Sequence, residues 1–205
     1  EAGVDIVLNA RGEEALRATA DEIARIYGVT VTPVATDATT EEGRATLLAA
    51  LPDPDHPERN RVLLAYGGGK DSSYMVAYVR YIQGLIWQQR NSTFQLRIST
   101  NRHAAMNDSV MENIDRVYRA LRIHDDAFTE CLVTDGLQIR PFDRHLPMPQ
   151  SVRQQNRDDV LMNGHRFRAD ARSTFCNACN LSMVNSFGLA AHYDGGVDVI
   201  ITGDS

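Results

Sequence analysis

Residues 61–73 read R-V-L-L-A-Y-G-G-G-K-D-S-S. The apolar run 62–66 is long enough for one buried strand, and residues 74–90 that follow have the spacing of an amphipathic helix. Strand, glycine turn and helix start in that order make an anion site. Glycines let backbone N–H groups crowd a charged oxygen, and a helix N-terminus adds unpaired donors at a positive dipole end. The chain holds 20 arginines and one lysine, and that lysine, Lys70, stands at the end of the glycines. A compact, flexible ammonium suits phosphate oxygens there. The plain alternative is an ordinary glycine-rich turn between a strand and a helix.

The G-x-x-x-x-G-K-[ST] spacing of a Walker A loop is absent, because Asp71 follows Lys70. The run Gly67-Gly68-Gly69-Lys70-Asp71-Ser72 resembles instead the S-G-G-x-D-S signature of the PP-loop ATP pyrophosphatases, with Gly67 in the place of the family's serine. That resemblance implies ATP with Mg²⁺, adenylation of a substrate oxygen and release of pyrophosphate, as in tRNA thiolases and amide-forming synthetases. It gives Lys70 and Asp71 the catalytic roles. Gly67, Gly68, Gly69, Lys70, Asp71, Ser72 and Ser73 would hold the nucleotide. The enzyme class implied is a transferase or ligase, with sulfur or ammonia as nucleophile and RNA or a small molecule as substrate.

The whole chain bounds these readings. Its 205 residues, 43% hydrophobic, allow one or two globular domains with a real core. The net charge of −6 divides unevenly: residues 1–58 carry −8 and residues 59–205 carry +2. A mildly basic second part permits an RNA partner without arguing for one. No apolar run approaches a membrane span, no signal-peptide pattern opens the chain, and two of three cysteines stand in a C-x-x-C. A cytoplasmic location is the default expectation, and a homodimer stays open.

Residues 4–8 and 29–35 read as strands, each followed by a helix, over 12–27 and 40–51. Ala15, Leu16, Thr19, Ile23 and Ile26 lie near one face of the first, and Gly28 stops it. Strand–helix–strand–helix order implies a parallel pair joined by a right-handed crossover. The stretches G-V-D-I-V-L-N-A-R-G-E-E-A-L and V-T-V-T-P-V-A-T-D-A-T-T are similar to the second and third strands of short-chain dehydrogenases/reductases. By that resemblance Arg11 would face the 2′-phosphate of NADP and Asp37 would sit beside the adenine. The family's opening strand and glycine turn do not precede them, and no N-N-A-G follows. Tyr66 and Lys70 meet the family's Y-x-x-x-K spacing, but three intervening glycines break the helix that would align the pair.

Three prolines in the six residues 52–57 mark a boundary. The expected division is a βαβα fragment with its linker at 1–57 and a PP-loop ATP-binding domain at 58–205, expected to be incomplete at its C-terminus. The fold class expected is α/β, a Rossmann-like parallel sheet with helices on both faces. Within the second part, helix 74–90 turns Met75, Val79, Ile82 and Ile86 inward, 94–99 is a strand, and helix 109–121 buries Val110, Ile114, Val117 and Leu121. Strand 130–134 carries Cys131 as a small buried hydrophobe. Residues 136–150 read as a loop, 151–163 as a polar helix, and His124, His145 and His165 as solvated.

The second informative stretch, F-C-N-A-C-N at 175–180, opens a helix over 181–193, and 197–201 is a buried strand ending in T-G-D-S. A C-x-x-C before a helix offers two thiolates to Zn²⁺, an iron–sulfur cluster or disulfide exchange. Two buried thiols without metal are the alternative. The PP-loop thiolases share this layout, which implies Cys176 and Cys179 as metal ligands, with Cys131 as a candidate third. It also implies Thr202, Gly203 and Asp204 as nucleotide contacts. Two other functions remain: an NADP-dependent short-chain reductase fragment, and a non-catalytic nucleotide- or metal-binding module.

Overall fold

A computed structural model describes residues 6–37, 40–50, 52–103, 106–135, 138–148, 150–151, 153–154 and 185–201. It shows an α/β protein with a mostly parallel central sheet flanked by helices, a Rossmann-like arrangement.

The fold is organised by the strand β3, Arg61–Ala65, whose residues Val62, Leu63 and Leu64 are 2% exposed or less. A strand buried on both faces reads as a continuous apolar run, as this one does. Its alternating side chains divide between two layers. Val62 and Leu64 join the large core with Val76, Val79 and Ile86 of helix α3, Lys70–Arg90, and with Met111, Ile114 and Tyr118 of helix α4, Asp108–Ala120. Leu63 packs the opposite way, against Ala190, Ala191 and Val197, where the helical segment 185–192 covers the other face.

On one side β3 pairs in parallel with β4, Gln95–Asn101, and β4 with β5, Thr129–Thr134. On the other it pairs in parallel with β7, Val199–Ile201. A short antiparallel strand β6, Ile139–Pro141, closes the far edge, giving the order β6-β5-β4-β3-β7. The loop expected over 136–150 therefore contains a strand. Its three residues are too few to show a period, and Pro141 sits at its end.

Strands β1, Ile6–Ala10, and β2, Val31–Ala35, pair in parallel as their own two-stranded sheet, joined by α1, Glu13–Tyr27, and followed by α2, Glu41–Ala49. Gly28 ends α1 at φ 64°, as the sequence suggests. The inward face of α1 is narrower than expected. Leu16 and Ala20 are buried, while Ile26 is 53% exposed and the Thr19 hydroxyl turns back to Ala15 O. Val7 packs against the core of the larger sheet.

Polar residues inside the core have identifiable partners. Gln83 of α3, a position the apolar stripe does not mark, donates to Phe94 O at 2.9 Å and Phe128 O at 3.3 Å, tying the helix to the entries of β4 and β5. Arg97 of β4 donates to Glu130 at 2.7 Å and to Ala190 O at 3.0 Å, fastening the segment 185–192 onto its face. The helix stripes shift slightly from their expected lines. Met75 and Ile82 of α3, and Val110, Val117 and Leu121 of α4, are only partly buried. His124 is exposed, as expected, while lying beside Asp115 and meeting Tyr118 edge-on, and His145 is exposed and accepts from Arg144. His165 and nearly all of 151–163 lie outside the described residues.

Leu64 is fully buried. Leu64→Ala should lower unfolding stability by about 2–5 kcal/mol, because both sheet partners and α3 hold the cavity open. Urea denaturation followed by far-UV circular dichroism measures this. A loss below about 1 kcal/mol would show that β3 is not the buried centre of the sheet.

Candidate functional site

The glycine turn sits where the sheet's connectivity reverses. From β3 the chain moves outward to β4 and β5, then returns to place β7 on the other flank of β3. In open α/β sheets such a reversal leaves a crevice beyond the carboxyl ends of the strands. Tyr66 N–H donates to Ser99 O at 2.9 Å, extending the β3–β4 ladder, and the chain then enters Gly67.

Each glycine has a local reading. Gly68 has φ 77°, and a Cβ there would come within 2.8 Å of Val110 Cγ1, so the turn lies directly on α4. Any larger residue would be strained and would collide with the core. Gly69 is the N-cap of α3 in extended conformation, without a side-chain cap. The N–H groups of Lys70, Asp71 and Ser72 precede the first intrahelical bond, Ser73 N–H to Gly69 O at 2.9 Å. The helix thus begins at Lys70, four residues before the amphipathic segment 74–90, and Lys70, Asp71, Ser72 and Ser73 form its first turn.

The side chains of this turn divide in two. Ser72 and Ser73 hydroxyls donate to Gly69 O at 3.2 and 2.7 Å, and Ser73 Oγ lies 2.9 Å from Tyr66 OH. These hydroxyls are occupied by the turn itself. Lys70 and Asp71 project into solvent, 91% and 75% exposed, with Nζ 3.9 Å from Oδ1. Tyr66 is buried, with its ring 5.7 Å from that of Tyr118, and burial raises its pKa. It shares no surface with the exposed ammonium, so the Y-x-x-x-K spacing is coincidental.

Cys176, Cys179, Thr202, Gly203 and Asp204 lie outside the described residues. Arg11 is exposed just beyond β1 and Asp37 half-buried beyond β2, both on the separate two-stranded sheet. Cys131 is partly buried against the core, where burial pushes its thiol up to about 12 and makes it a poor ligand. Among the described residues no group of three or more His, Cys, Asp or Glu is placed to hold a metal ion. Sequence reasoning passed over Arg102, the first residue after β4. Its guanidinium is 12% exposed and carries a buried nitrogen, Nη1, without a hydrogen-bond partner. The available signal was an arginine at the carboxyl end of a strand.

No family model and no curated protein matches the chain. Among solved structures it is similar to the NADPH-dependent 3-quinuclidinone reductase of Rhodotorula rubra, at 14% identity over 98% of this chain and 80% of that one, with a TM-score of 0.38. It is also similar to a 7α-hydroxysteroid dehydrogenase in complex with NADH and 7-oxo-glycochenodeoxycholic acid, at 14% identity over 97% and 82%, with a TM-score of 0.39. Both carry the names of oxidoreductases.

The expected ATP, Mg²⁺, and zinc or iron–sulfur cofactors are corrected by these findings, with the transferase, ligase and tRNA-thiolation readings. The solved structures are named with NADPH and NADH. The physical reasons lie in the turn: its serine hydroxyls bond to Gly69 O, and Asp71 stands in solvent, in no group of three or more metal-ligating side chains among the described residues.

Burial raises the pKa of Tyr66, Tyr118 and Cys131 together. The folded chain therefore holds protons that the unfolded chain releases, and stability should fall as pH rises from about 9 towards 12. Urea midpoints across that range test this, and Cys131→Ala should flatten the fall. A midpoint independent of pH there would show that these groups are open to water.

Proposed function

We propose that the chain is a reductase-type module that binds a nicotinamide dinucleotide, its pyrophosphate resting on the turn at Gly67, Gly68 and Gly69. The observation that carries this reading is the position of that turn. It joins the central strand to a helix N-terminus at the point where the strand order reverses. Backbone donors at the start of α3 and the exposed Lys70 ammonium offer a pyrophosphate the charge it requires. Gly67, Gly69 and Ser72 also fall at the spacing of a G-x-G-x-x-G turn, with serine in the third place.

The site is built without Arg11 and Asp37, which belong to the other sheet. Tyr66 is excluded as a proton donor to substrate by its burial and its bond to Ser73. The residues therefore support dinucleotide binding, and a bound nicotinamide dinucleotide would supply the hydride-transfer chemistry.

Titration of the purified chain with NADPH, NADH and ATP, read by nucleotide fluorescence and calorimetry, tests the reading. A nicotinamide dinucleotide should bind, and Lys70→Ala should weaken it about tenfold, or about 1.4 kcal/mol. Gly68→Val should abolish binding, because the side chain cannot enter between the turn and Val110. A response to ATP with none to NADPH or NADH would contradict it.

A further inference from the structure

The carboxyl edge of the sheet carries a second cationic feature, one strand further from the glycine turn. Arg102 follows β4 directly, and its N–H donates to Thr134 O at 2.7 Å. The β4–β5 ladder thus continues one residue past Asn101 and fixes Arg102 at the edge between the two strands. Its side chain is 12% exposed. A guanidinium carries five N–H donors, and burial demands a partner for each. Here Nη1 is buried and has none. Its ion pair is with Asp108 at 3.7 Å, a carboxylate 95% exposed at the start of α4. That separation is beyond hydrogen-bond length, and the exposed partner is well hydrated.

A second arginine stands beside it, and a third, the exposed Arg153, lies near enough to be felt. Arg140 of β6 donates to Asp135 at 2.8 Å and to Pro147 O at 3.1 Å, and its Nε is buried without a partner. Arg140 and Arg153 both lie close enough to act against the charge on Arg102, with Asp108 and Asp135 acting in its favour. Three guanidiniums stand against two carboxylates, one of them in solvent and the other fully buried and engaged by Arg140. Like charges held together in partial burial, with donors left open, are a costly arrangement for an empty protein. A tetrahedral dianion removes both costs, since its oxygens accept from several planar forks and its charge offsets the excess.

We propose that Arg102 and Arg140, with the exposed Arg153 at the rim, form a binding site for a phosphate dianion, free or as a monoester, at the carboxyl edge between β4 and β5. A single carboxylate supplies half the charge and fewer acceptors, so phosphate is the better fit. The site does not rest on the dinucleotide reading, because its evidence is the unpaired donors and not the glycine turn.

Inorganic phosphate is the direct probe. Thermal unfolding and calorimetric titration of the full chain are compared in sodium phosphate and in sodium chloride at equal ionic strength. Phosphate should raise the midpoint saturably, with chloride giving no such rise. Arg102→Gln should weaken the phosphate response at least tenfold, Arg102→Lys should restore part of it, and Arg116→Gln, an exposed charge on α4, should leave it unchanged. Arg153→Gln gives the same test should Arg102→Gln fail to fold. Equal responses to phosphate and chloride, or equal phosphate binding by Arg102→Gln and Arg116→Gln, would overturn the proposal. The origin of the phosphate is read separately. If Arg102→Gln narrows the preference for NADPH over NADH, the monoester belongs to the dinucleotide. An unchanged preference with the phosphate response lost assigns it to another ligand.

Discussion

The burial of β3 on both faces is the constraint from which the rest of the larger sheet follows. Five residues without a charged side chain after Arg61 cannot meet water on either side, so a layer must cover each face. Val62 and Leu64 recruit α3 and α4, and Leu63 recruits the segment 185–192. Because both neighbours of β3 are parallel to it, their carboxyl ends collect on one edge. The turn after β3 then has nowhere to go except across that edge and into α3. The candidate site and the sheet's core therefore meet in the same thirteen residues, 61–73, with the apolar half holding the sheet and the glycine half lining its rim.

Much of this was legible before any coordinates. Apolar runs located β3, β4, β5 and β7 within about two residues, and Gly28 marked the end of α1, because buried parallel strands and left-handed helix ends leave strong compositional traces. The departures have physical causes. The amphipathic spacing begins only at Tyr74, so it misses the polar first turn Lys70–Ser73, where Asp71 suits the positive end of the helix and the two serines bond to Gly69 O. Gln83 was hidden because a buried amide breaks no periodicity; its two carbonyl partners lie at the entries of strands far along the chain. Strand β6 was hidden by its length.

The candidate site was legible as a turn and illegible as a chemistry. A glycine run before a helix states that an anion fits; it does not state which one. The G-G-G-K-D-S likeness led towards ATP and magnesium, but Gly67 supplies no hydroxyl, and the two hydroxyls that remain are held within the turn. Arg102 and Arg140 are far apart in the chain and come together only through the β4–β5–β6 register. Linear spacing cannot report such a cluster. The carboxyl edge thus presents two unlike cationic features: backbone N–H groups with a solvated ammonium, and the largely buried guanidiniums of Arg102 and Arg140 with donors to spare.

The central claim is that the edge beyond β3, not the sheet of β1 and β2, receives the dinucleotide. Backbone amide NMR during titration of the chain with NADPH separates the two places residue by residue. The account predicts that the amides of Gly67, Gly68, Gly69, Lys70 and Asp71 shift first and furthest, with Arg11 and Asp37 unmoved. Shifts confined to residues 11–37, or no shift at the glycine turn at saturating NADPH, would contradict it.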